Sequence, residues 1–100
     1  MTRRLAALVM VAALGVSPAA EAPRRVVSLI PAVTEMIFAM GEGRRLVGVS
    51  SYDRFPADVE KIARVGGLLD PNVERILSLR PDLVILYDTQ QELRQRLERT

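Results

Sequence analysis

Three aspartates, Asp53, Asp58 and Asp88, are the closest this chain comes to a set of acid–base groups, because its 100 residues include no histidine and no cysteine. Without imidazole or thiolate there is no zinc or copper site and no Cys/His nucleophile. Any chemistry would run on carboxylates, hydroxyls and backbone amides. Nothing in the spacing fixes the separation of the three acids, and they are expected to be solvated. Gly41-Glu42-Gly43 follows a helical pattern and lacks the third glycine of a dinucleotide fingerprint, so it reads as a helix C-cap. A Gly-x-Ser-x-Gly elbow, a phosphate loop and a metal-ligand cluster are all missing. Thr34 and Glu35 stand where a helix begins and are expected to cap it and complement its dipole. That leaves Tyr52, which follows an apolar run. It is either a packing residue or the flat wall of a ligand site.

The extreme N-terminus governs which residues belong to the fold. Met1-Thr2-Arg3-Arg4 is basic, Leu5 to Val16 is an uncharged apolar run, and Ser17 to Ala22 is rich in small residues. This is the layout of a secretory signal peptide, expected over residues 1–22, with cleavage after Ala19, Ala20 or Ala22. A buried helix or membrane anchor is the alternative, but the run is shorter than the roughly 20 apolar residues a spanning helix needs. Export leaves residues 23–100. Removing Arg3 and Arg4 from 14 basic residues leaves 12, against 12 acidic ones if Glu21 is kept and 11 over residues 23–100. A nearly neutral chain with no basic stripe gives no footprint for nucleic acid. Lack of cysteine also excludes disulfides and removes the acceptor for a lipid anchor, so a periplasmic, unanchored protein is expected.

Residues 23–100 alternate between strand and helix signals. Arg25–Ile30 is a β-branched run stopped by Pro31, after which Val33, Met36, Ile37 and Met40 recur at helical spacing. Leu46–Val49 is a second short strand, followed by a polar segment and a Pro56-led helix with Val59 and Ile62 on its apolar face. Ala63–Leu69 reads as a loop or minimal strand. Asp70-Pro71 is expected to cap a helix burying Val73, Ile76 and Leu77, and Arg80-Pro81 to stop it. Leu83–Tyr87 is uninterrupted and apolar, predicting a central strand buried on both faces. Thr89 and Glu92 form a capping box for a last helix with Leu93 and Leu97 inward and Glu/Arg pairs four apart outside. The pattern predicts one α/β layer: a parallel sheet with flanking helices.

In such a sheet, ligands bind beyond the carboxyl ends of the strands, where loops and helix N-termini converge. The expected wall is Ser28–Glu35, Ser50–Phe55, Gly66–Asp70 and Tyr87–Gln90. Free helix amides there suit the polar groups of a ligand.

Three segments carry a family resemblance: Val27–Glu35, Leu46–Asp53 and Asn72–Ile85. In order and spacing they resemble the start of helical-backbone periplasmic binding proteins, the receptors for cobalamin, siderophores and haem. The resemblance runs from Arg25 to Thr100 and implies two α/β lobes on one long helix, of which this sequence is the N-terminal lobe without the helix or second lobe. It also implies a substrate-binding component of an ABC importer, not an enzyme, monomeric, with no resident cofactor or metal. Its ligand would be a corrinoid, or alternatively a ferric siderophore or haem, and its partner a membrane permease. Gly48–Tyr52 is most similar to corrinoid-binding members, in which the tyrosine lines the pocket. Pro31, Ser51, Tyr52 and Leu68 are the expected ligand contacts, Leu68 standing where those members carry tryptophan. Tyr52 would also be the axial ligand of a haem. Glu74 matches the glutamate that pairs with permease arginines. An exported α/β enzyme working with carboxylates is the alternative of another class.

Overall fold

The computed structural model describes residues 21–100. The signal peptide expected over residues 1–22 therefore lies almost wholly outside the described residues. Four short strands, β1 (Val26–Ser28), β2 (Leu46–Val49), β3 (Ala63–Arg64) and β4 (Leu83–Ile85), form one parallel sheet in the order β3-β2-β1-β4. Val27 pairs with Gly48 on one side and Val84 on the other. The chain steps outward from β1 to β2 and β3, then returns through a helix to the far side of β1. The switch in direction falls between β1 and β4.

Alternation along β1 sends side chains to two separate cores. Val26 joins Leu46, Val49, Val59 and Ile37 beneath helix α1 (Pro31–Ala39). Val27 and Leu29 join Val65, Ile76 and Leu93 beneath helices α2 (Val73–Ser78) and α3 (Gln91–Glu98). Gly48 makes the second layer possible, since a Cβ there would lie 2.9 Å from Leu79 Cδ1 and 3.1 Å from both Val27 and Val65 methyls.

Helix α1 starts on Pro31, where a missing N–H costs nothing. It ends at Gly41, whose φ of 77° closes a Schellman motif: the Gly41 N–H donates to Phe38 O and the Glu42 N–H to Ile37 O. The C-cap expectation holds. The expected apolar stripe needs correction, because Met36 and Met40 are exposed while Val33, Ile37 and Phe38 face the sheet. Thr34 also departs from expectation. It is fully buried one turn into the helix, its hydroxyl on Ser28 Oγ at 3.0 Å, so it ties α1 to β1 and caps nothing; Glu35 is exposed.

Other boundaries shift for local reasons. The Pro56-led segment is a 3₁₀ turn over Ala57–Lys61, burying Val59. Asn72, not Asp70, caps α2, its Oδ1 accepting from Arg75 N at 3.0 Å. Leu77 is exposed and the next turn's Leu79 takes its place in the core. β4 is an edge strand, pairing with β1 alone among the described residues, so Leu83 is exposed and Val84 and Ile85 are half-buried. Gln90 occupies the N-cap of α3 without a side-chain cap bond, in place of the Thr89 box. On that helix Arg94 and Glu98 pair at 2.8 Å.

The amino ends of the strands are pinned by charge. Asp82 accepts the N–H groups of Arg24 and Arg25, both at 2.9 Å, and these bonds hold its carboxyl below the usual aspartate range. The Arg25 guanidinium donates to Leu79 O at the end of α2. Glu42, bonded by Arg45 and faced by Arg44, is likewise lowered.

Candidate ligand-binding cleft

At the opposite, carboxyl end of the sheet, each strand runs into a loop. The loop after β2 is a tight turn. Ser50 N donates to Asp53 Oδ2 at 2.8 Å, Tyr52 N donates to Ser50 Oγ at 3.1 Å, and Asp53 N returns to Ser50 O. Arg64, from β3, donates to the carbonyls of Ser50 and Asp53 at 2.9 and 2.6 Å. Asp53 is thus 2% exposed and a structural clamp, not the solvated acid expected; its Oδ1 has no hydrogen-bond partner among the described residues. The turn holds Tyr52 at its tip, with the side chain pointing outward at 64% exposure.

The loop after β3 is bonded to this turn from below. Ser51 N donates to Gly66 O at 2.9 Å and Gly66 N to Ser51 Oγ at 3.1 Å. Gly66 has φ of 89°, a left-handed conformation that glycine adopts without a Cβ penalty. Beside it, Gly67 lies against the Tyr52 ring, and a Cβ at this position would sit 2.6 Å from Tyr52 Cε2. The loop after β4 is drawn in by Gln90, whose buried amide touches both Tyr87 and the Gly67-Leu68 backbone.

These loops surround an open cleft of about 300 Å³ lined by Leu29, Pro31, Ser50, Tyr52, Gly67, Leu68, Leu69 and Tyr87. Three expected contacts, Pro31, Tyr52 and Leu68, come together here. Ser51 does not line the cleft, because its hydroxyl is used on Gly66 and it braces the wall from behind. Leu29, Ser50, Leu69 and Tyr87 were not singled out as contacts from sequence, although all four fall within the four wall segments and Tyr87 ends the apolar run Leu83–Tyr87. The lining has two phenols, one serine hydroxyl and no charged side chain. Such a surface suits a flat, largely apolar ligand and offers no acid–base pair. Among the described residues, no cluster of acidic groups suits a metal ion, and no helix is long and apolar enough to cross a membrane.

Residues 26–100, which hold the four strands and three α-helices of the described residues, match the sequence pattern described as periplasmic binding protein. The chain belongs to that family. A vitamin B12-binding protein from Yersinia pseudotuberculosis is 43% identical over 82 residues, 82% of this chain and 29% of the relative. An uncharacterised ABC transporter substrate-binding lipoprotein of Bacillus subtilis is 42% identical over 67 residues, covering 67% of this chain and 21% of that one. The crystal structure of a periplasmic haem-binding protein from Pseudomonas aeruginosa superposes with a TM-score of 0.71 at 29% identity, over 77% of this chain and 28% of the other. The chain thus spans less than a third of the length of each.

As a family member with a parallel sheet and flanking helices, the described lobe has its cleft beyond the carboxyl ends of all four strands, across the point where the strand order reverses. Glu74 lies apart from it. It is exposed on α2, beside a shallow groove that also includes Asp70, Asn72 and Arg96.

Proposed function

We propose that this chain is the ligand-capturing N-terminal lobe of an ABC importer's substrate-binding component, exported to the periplasm and selective for a corrinoid. The carrying observation is the uncharged cleft at the switch point, walled by Tyr52, Tyr87, Leu68 and Pro31. A corrinoid presents a broad apolar ring edge with amide side chains. The two rings and the leucines match the edge, and the tyrosine hydroxyls match the amides. An anionic ferric siderophore would call for cationic partners, and the lining supplies none. Capture rather than catalysis is supported by the same lining, which brings no carboxylate, lysine or nucleophile base into the cleft. On this reading a second lobe closes over the open side and the receptor acts as a monomer.

Haem is the second reading, supported by the match to a haem-binding structure and by the outward phenol of Tyr52. Titration calorimetry of the full-length protein with cyanocobalamin, cobinamide, haemin and ferric siderophores separates the readings. Heat with the two corrinoids is expected. A Soret shift with haemin and no corrinoid heat would transfer the assignment to haem.

Delivery to the permease is assigned to Glu74, exposed away from the cleft. At a desolvated contact with arginines, its removal leaves positive charge buried and unpaired, a cost of roughly 2–5 kcal/mol.

A further inference from the structure

We propose that Gln90 is a positioning residue for the cleft, setting the gap between its Tyr52–Leu68 wall and its Tyr87 wall through one buried amide. The inference rests on this cleft being the ligand site. Gln90 is 7% exposed. Its Oε1 accepts the Tyr87 N–H at 3.0 Å, and its Nε2 donates to Gly67 O at 3.3 Å and Leu68 O at 3.1 Å. Both amide hydrogens and the carbonyl are therefore used, and they join two loops that no secondary structure connects.

Each bonded backbone group belongs to a lining residue. Tyr87 and Leu68 present their side chains to the cleft, and Gly67 is the surface against which the Tyr52 ring lies. A buried glutamine also defines its partners sharply, because a shift of either loop leaves a donor or acceptor unpaired away from water. An apolar residue of the same volume would fill the space without choosing a spacing. The position is within the α3 N-cap, where glutamine makes no cap bond, so helix formation does not account for it.

Two variants of the full-length protein test this. Gln90→Met keeps the volume and removes all three bonds. Gln90→Glu keeps an acceptor for Tyr87 N–H but turns a carboxylate toward two carbonyls. In ligand-free hydrogen exchange, the methionine variant is expected to lose protection about tenfold or more at Tyr87, whose N–H bonds Gln90 Oε1, and at Gly66 and Asn72, the bonded N–H groups that flank Gly67 and Leu68, with β1 unchanged, as local opening requires. The glutamate variant is expected to loosen Gly66 and Asn72 while Tyr87 stays protected. Cyanocobalamin affinity should fall about tenfold in Gln90→Met, and by less than the product of the single losses when combined with Tyr52→Ala, because the two act on one wall. Unchanged exchange in both loops, or equal acceleration throughout the sheet, would overturn the proposal. If the unmutated protein binds no cyanocobalamin, the corrinoid assignment fails, and the exchange pattern still decides whether Gln90 sets the two walls.

Discussion

Tyr52 depends on a neighbour with no side chain. Its ring lies on Gly67, and the exposed phenol is free to swing away if that space is filled. Tyr52→Ala is expected to weaken corrinoid binding by about 1–3 kcal/mol through lost aromatic contact, measured by calorimetry. Gly67→Ala should reproduce much of that loss while changing unfolding stability by under about 1 kcal/mol, because a methyl here displaces an exposed ring and no buried atom. A large stability loss with normal binding would mean that the ring and the glycine do not share this contact in solution. Asp53 shows the opposite dependence. It reads in the sequence as one of three loose acids, yet Ser50 N and the Arg64 brace around its turn make it part of what points Tyr52 outward.

The helices and strands position the cleft from a distance. Gly48→Ala places a methyl 2.9 Å from Leu79 and 3.1 Å from Val27 and Val65, all inside the layer beneath α2 and α3. Overpacking of this kind is expected to cost about 1–3 kcal/mol, read from the urea midpoint at constant slope. At the other end of the sheet, Asp82 holds the start of β1 and its pKa is lowered by the Arg24 and Arg25 amides. The unfolded chain binds a proton to this carboxyl at higher pH than the folded one does, so folding stability rises with pH across that window. The contribution is complete above the ordinary aspartate range and is lost as pH falls through the lowered value. Urea midpoints between pH 6 and pH 2 should therefore drop less steeply for Asp82→Asn than for the unmutated protein.

Across the whole molecule, the proposed capture surface and the proposed delivery surface occupy separate parts of the lobe. The cleft lies at the strand ends, and Glu74 sits on the exposed side of α2. This separation predicts a clean division of phenotypes in the full-length protein. Glu74→Ala should leave ligand affinity unchanged while weakening permease pull-down and slowing uptake, with Glu74→Asp intermediate. Normal uptake by Glu74→Ala would make it an ordinary solvated glutamate, whose isolated ion pairs are worth under about 1 kcal/mol.

The α/β layer and the four wall segments were legible in the order of residues, because chain-local signals carry them. β-branched runs, Pro31, Gly41 and helical spacing each act within a few residues. So did the placing of Pro31, Tyr52 and Leu68 on one surface, since parallel strands put successive loops at the same end. Strand order was beyond reach. The apolar run Leu83–Tyr87 looks the same whether the strand is central or at an edge, and only pairing with β1 decided for the edge. The same limit hid Thr34, Ser51, Asp53 and Gln90. Their partners are Ser28, Gly66, Ser50 with the Arg64 brace, and Gly67 with Leu68, in most cases on other loops or elements. A polar side chain is read from sequence as solvated until folding brings an acceptor or donor to it across the sheet. The tertiary structure alone made that assignment, because burial and hydrogen-bond satisfaction depend on contacts between residues distant in the chain.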